Sequence, residues 1–200
     1  MKFGIVVPFF NQHAAYATIL KIAKQTEALG FDTIWFPDHI VGPTPMGAER
    51  WLEVITLMSN VCAHVPRLEI GTDVLIAAYR HPVLAAKMIT TLDIVSGGRL
   101  IVGVGGGYVE EEFAALGVPF AERGAYTDEC IQVWKRMWSD DRVAFRGKYF
   151  VLDNVLSKPK PVQKPHPPIL VGNQGSRVLR RAATLADGWH PIGLKLLVLE

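Results

Sequence analysis

Four short apolar runs, Phe3–Pro8, Thr33–Phe36, Leu68–Ile76 and Leu100–Val104, recur at intervals of about thirty residues, the length of one βα unit. Helical patterns fill the gaps. In Ala14–Leu29 the residues Ile19, Leu20, Ile22, Ala23 and Leu29 keep a helical period, and Gly30 stands where a C-terminal cap is expected. Trp51–Ala63 and Pro82–Val95 repeat the arrangement, the second with Pro82 in its first turn and Gly97-Gly98 past its end. Strands that are apolar throughout, alternating with amphipathic helices, predict a parallel sheet covered by helices, either a barrel or an open doubly wound sheet. The glycines decide between the two. A dinucleotide fold places G-x-G-x-x-G after its first strand, whereas here the cluster follows the fourth, and its sixth position is Tyr108. An α/β barrel is therefore expected.

Beyond the fourth strand the pattern changes. Glu122–Trp138 predicts a long amphipathic helix, and the alternation in Val143–Asn154 predicts a hairpin turning at Gly147. The basic, proline-rich stretch Ser157–Pro168 reads as a connector, its KPKPVQKPHPP core as a solvated linker. A fifth strand is expected at Ile169–Val171, a helix at Arg177–Ala186 and a sixth strand at Trp189–Ile192. A complete (β/α)8 barrel takes about 250 residues. The expectation is one barrel domain over residues 1–200, short by roughly two C-terminal units, with an insertion at about 109–165.

Composition narrows the class of partner. Half of the 200 residues are hydrophobic and 20% are charged, enough apolar surface for one globular core. A net charge of +2, spread along the chain, gives no field for nucleic acid, so a small-molecule ligand is expected. Cys62 and Cys130 lack the spacing of a zinc site or a redox dithiol and read as buried thiols of a reducing compartment. Pro8 and Asn11 cut the N-terminal apolar run short of a signal peptide or a membrane span, so a cytoplasmic location is expected. Glu110-Glu111-Glu112 reads as a helix start, where the dipole favours negative charge, rather than as a metal site. Trp134 and Trp138, four apart, read as core or dimer surface, and no P-loop, HExxH or GxSxG is present.

Four constellations could carry chemistry. The run RLIVGVGGGY ends a buried strand in Gly103, Gly105, Gly106 and Gly107, leaving main chain that an anionic or planar ligand could approach. The second strand ends in Asp38-His39, at the mouth where catalytic groups of barrels sit, which makes His39 a candidate proton donor or acceptor. Asp73 interrupts an apolar strand and is costly there unless paired or facing a site. Gly172-Asn173-Gln174-Gly175-Ser176 repeats the strand-to-glycine-to-helix device, whose amides suit a phosphate. Each glycine loop serves equally as a tight left-handed turn.

The segments MKFGIVVPFF, EALGFDTIWFPDH, LEIGTDVLIAAYRHPVLAAKMITTLDIVSGGRLIVGVGGGY, EEFAALGVPFAERG and PKPVQKPHPPILVGNQGSRVLRRAATLADGW together resemble the luciferase-like flavin and deazaflavin oxidoreductases, which are (β/α)8 barrels. Within that family the pattern is most similar to the coenzyme F420-dependent branch. The resemblance implies that His39, beside Asp38, faces the reactive edge of the cofactor ring and moves a proton while hydride is transferred. It implies a non-prolyl cis peptide at Asp73-Val74, next to Thr72, backing the ring. It places Gly105, Gly106, Gly107 and Tyr108 along the cofactor, and Gly172, Asn173, Gln174, Gly175 and Ser176 at the ribityl phosphate. Sugar-phosphate dehydrogenases of the family carry an acidic residue in place of Tyr108 and a Trp near Pro43, so glucose 6-phosphate is not the expected substrate. The same scaffold serves reduced FMN in monooxygenases, which is the alternative activity. A shortened, inactive cofactor-binding or interaction protein is the second alternative. A homodimer is also implied, with helices around the first strands at its contact.

Overall fold

In the computed structural model, which describes residues 1–45 and 47–192, every strand of the main sheet runs parallel to its neighbours. The strands are β1 (Gly4–Val6), β2 (Thr33–Phe36), β3 (Glu69–Thr72), β4 (Leu75–Ile76), β5 (Leu100–Gly105), β8 (Ile169–Gly172) and β9 (Gly188–His190), and an antiparallel hairpin of β6 (Arg142–Arg146) and β7 (Val151–Leu156) stands apart. Their order in the sheet is β1-β2-β3-β5-β8-β9, with β4 against β5. The sheet curls as a half-barrel, one of the two arrangements that alternating apolar strands and helices allow.

The helices are α1 (Tyr16–Ala28), α2 (Val54–Val61), α3 (Pro82–Ser96), α4 (Glu110–Leu116), α5 (Arg123–Ser139) and α6 (Ser176–Leu185). Helix α1 buries Ile19, Ala23 and Thr26 along one stripe, and Gly30 adopts φ +82° just past its end. Helix α2 starts three residues later than the apolar pattern suggests. Trp51 is held in a bridge to Phe10, and the Glu53 carboxylate caps the helix by accepting from the Thr56 amide at 2.7 Å. Helix α3 has Pro82 in its first turn and stops at Gly97, φ 70°.

Two sequence expectations change. The third apolar run does not pair continuously, because the chain breaks between β3 and β4 at Asp73-Val74, whose peptide bond is cis. The proline-rich connector is anchored rather than solvated. The fully buried Asp93 of α3 accepts from the Val162 and Gln163 amides and from the Gln163 side chain, while Lys160 reaches the Met137 carbonyl at 2.9 Å. A buried carboxylate needs such donors, so the connector packs where composition alone suggests a free linker.

The core lies between the sheet and its helices. Trp134 and Trp138 are buried in it, with the Trp138 indole donating to the Ala86 carbonyl at 3.1 Å, which settles them as core residues. Cys62 and Cys130 are buried free thiols. Among the described residues, no helix is long and apolar enough to cross a membrane.

Candidate active site

A cavity of about 700 Å³ opens at the carboxyl ends of the strands. It is bordered by Pro37, Asp38 and His39 after β2, Asp73 and Val74 after β3, Gly105 to Tyr108 after β5, and Gly172 and Asn173 after β8. Four strand ends, far apart in sequence, thus meet at one wall.

The floor is built around Val74. A Cβ on Gly105 would lie 2.5 Å from one methyl of Val74, a Cβ on Gly172 would lie 2.5 Å from the other, and a Cβ on Gly103 would collide with the Thr72 carbonyl. These glycines therefore make room for the Val74 side chain, and Gly105, Gly172 and Val74 all border the cavity. A side chain at any of the three glycines would displace Val74 or the Thr72 carbonyl. Gly107 has φ +75°, and a Cβ there would meet Phe113 and Ile76, so its reason is also local. Asp73 accepts from the His190 ring at 2.7 Å, and His190 stacks on Trp35 at 4.8 Å. The isolated strand carboxylate thus has its partner.

His39 is buried, with its ring 4.4 Å from Trp51 and edge-on to Tyr108 at 5.7 Å. Its Nδ1 lies 2.9 Å from Oε2 of Glu112, a fully buried side chain on α4. Tyr79 donates to the same oxygen at 2.5 Å, and the Ile40 and Val41 amides donate to Oε1 at 2.5 and 3.3 Å. Burial opposes ionisation of Glu112, but the hydrogen bonds from His39, the Ile40 amide and Tyr79 outweigh it and hold the carboxyl below its ordinary range. Burial, then the carboxylate beside it, pushes the Tyr79 phenol up, so it stays a donor. An ionised carboxylate only accepts, so His39 carries its proton on Nδ1. Its Nε2 is left for the cavity, where it can take or give a proton.

The remaining expected residues divide. Asp38 borders the cavity, but its oxygens accept from both arms of the Arg80 guanidinium, at 2.7 and 3.0 Å, and from the Ile76 amide at 3.0 Å. It braces the β2 end. Thr72 is buried beneath the floor and donates to the Gly103 carbonyl at 2.6 Å. Gln174, Gly175 and Ser176 are exposed and do not border the cavity, whereas Gly172 and Asn173 do. Three guanidinium groups border it as well. Arg123 is held by the Gly107 and Phe120 carbonyls, Arg181 by Asp128 and the Gly124 carbonyl, and Arg177 has no partner among the described residues.

Sequence reading passed over Glu112, Tyr79, His190 and these arginines. For Glu112 a signal existed: Val109, Glu112 and Phe113 share one face of a helix, and both hydrophobic members are buried, so the third glutamate of the triplet points inward. The arginines carried none, because elements distant in the chain bring them together.

Comparison with known proteins identifies the family. The family described as luciferase-like monooxygenase matches residues 1–197. An FMNH2-dependent dimethylsulfone monooxygenase of Pseudomonas putida is 32% identical over 94% of this chain and 52% of its own length. An F420-dependent glucose-6-phosphate dehydrogenase of Amycolatopsis mediterranei is 30% identical over 86% of this chain and 52% of its own. The crystal structure of a monooxygenase from Streptomyces bottropensis superposes with a TM-score of 0.77 at 27% identity, covering 86% of this chain and 54% of that one. The chain thus spans about half the length of these relatives.

Proposed function

The chain belongs to the luciferase-like monooxygenase family, and on that premise we propose that it is an oxidoreductase holding the deazaflavin coenzyme F420 over Asp73-Val74, with His39 moving the proton that accompanies hydride transfer to or from a small organic substrate. The observation that carries this reading is His39 on the wall of a cavity bordered by Asp73-Val74 and the glycines after β5, its Nδ1 fixed by a buried carboxylate. The bound deazaflavin would supply the hydride donor or acceptor. The protein's part is to position and to move a proton. The glycine-packed Val74 would support the ring, and Gly105 to Tyr108, which border the cavity, would lie along it. Arg177, unpaired among the described residues, and Arg123 suit the phosphate end beside Gly172 and Asn173. Holding ring and substrate in register removes orientational entropy from the reaction.

A His39→Ala variant keeps cofactor affinity and loses turnover by about 10²–10⁴-fold, the usual worth of general acid–base catalysis. Fluorescence titration with F420 and steady-state kinetics check the two halves, and unchanged turnover contradicts the proton role. A second reading, an FMN-dependent monooxygenase, is favoured by the similarity to the Pseudomonas putida enzyme, which extends over 94% of this chain. Oxygen consumption with reduced FMN supports it, and hydride exchange with F420 without oxygen uptake supports the first. The two buried free thiols suit a cytoplasmic location, and a homodimer is part of the proposal.

A further inference from the structure

We propose that Tyr79 is a positioning residue for proton transfer: acting through Glu112, its phenol sets how tightly His39 holds its proton. The inference rests on the reading of His39 as the proton-moving group. Neither Tyr79 nor Glu112 borders the cavity, and of the groups that Glu112 holds His39 is the one that can move a proton there.

The Glu112 carboxylate has about four acceptor sites, and four donors meet it. The Ile40 and Val41 amides take Oε1, while the Tyr79 phenol and the His39 imidazole share Oε2. Two of these donors are main chain and fixed. The phenol alone competes with the imidazole for one oxygen, through a side chain that can lose its hydroxyl without losing its shape. With the phenol in place, part of the negative charge on Oε2 is drawn away from His39. Without it, the charge falls on the imidazole, which holds its second proton more tightly.

The other groups facing His39 do not offer this control. Trp51 is uncharged, and Tyr108 meets the ring edge-on at 5.7 Å. Asp38, its chain neighbour, is matched by the Arg80 fork, which also reaches Glu53 at 2.6 Å. Tyr79 itself is locked by packing, its ring edge-on to Phe113 at 5.4 Å beside Ile76 and Ala78. A phenylalanine keeps those contacts.

The test is an NMR titration of the His39 ring in the free chain, assigned against His39→Ala, alongside the pH profile of turnover. Tyr79→Phe raises the midpoint of the His39 titration by about 0.5–1 pH unit, a fraction of the worth of one hydrogen bond to a carboxylate, because the effect reaches His39 only through Oε2. The acid limb of turnover moves up with it. Glu112→Gln lowers the midpoint, and adding Tyr79→Phe to Glu112→Gln produces no further change, because the path between the two rings is gone. A Tyr79→Phe midpoint that stays put or falls overturns the proposal, as does an equal shift in the Glu112→Gln background. A ring titration that moves while the turnover profile stays fixed leaves the coupling standing and removes His39 from the reaction.

Discussion

Glu112 shows how one carboxylate can serve folding and chemistry at once. Its folded value lies below the ordinary one, because its donors outweigh burial. The sign follows: the stability it contributes is fully present above the unfolded-state value and is lost as pH falls through the depressed folded value. Glu112→Gln therefore flattens the acid side of the stability–pH curve and costs about 1–3 kcal/mol at neutral pH, the price of mismatched buried donors. Urea unfolding from neutral pH down through and below the ordinary glutamate range measures both. A variant whose acid limb matches that of the native chain would contradict the assignment. At this scale His39 and Asp73 were legible, since a polar residue at the end of an apolar strand has few explanations other than a site or a buried partner. Glu112 was hidden by its neighbours. Glu110 and Glu111 are exposed, and a triplet of like charges at a helix start reads as a response to the dipole, although only the third residue turns inward.

Elements are positioned here by what their glycines omit. The ends of β5 and β8 close on Val74 only because Gly105 and Gly172 present no Cβ to its two methyls. Gly105→Ala consequently costs about 1–3 kcal/mol as overpacking. In a Val74→Ala background the same substitution costs much less, and equal costs in both backgrounds, read by urea unfolding, would dissociate the glycines from the floor. The glycine run itself was plain in the sequence, but its beneficiary was not. A strand that ends in glycine announces a close approach without saying whether a ligand or another side chain makes it, and here Val74 makes it at the border of the cavity. The connector at 157–168 failed to declare itself for a related reason. Its anchor, Asp93, belongs to a helix more than sixty residues earlier, and no local pattern records that pairing.

The parallel half-barrel was legible as a whole because its signal is repetitive: apolar strand, amphipathic helix, glycine stop. Its curl agrees with family membership. What repetition cannot convey is convergence. The cavity draws Arg123, Arg177 and His39 from elements that follow different strands, and only the curl brings them to one wall. On the proposed function, this wall and floor hold a phosphate-tailed tricyclic ring. The most direct test is the melting temperature of the chain with F420 or reduced FMN added at about a hundred times its dissociation constant. Binding to the native state alone stabilises by about 2.7 kcal/mol, which for a chain of this size is a rise of about 5–10 °C. A melting temperature unmoved by both cofactors would contradict the account.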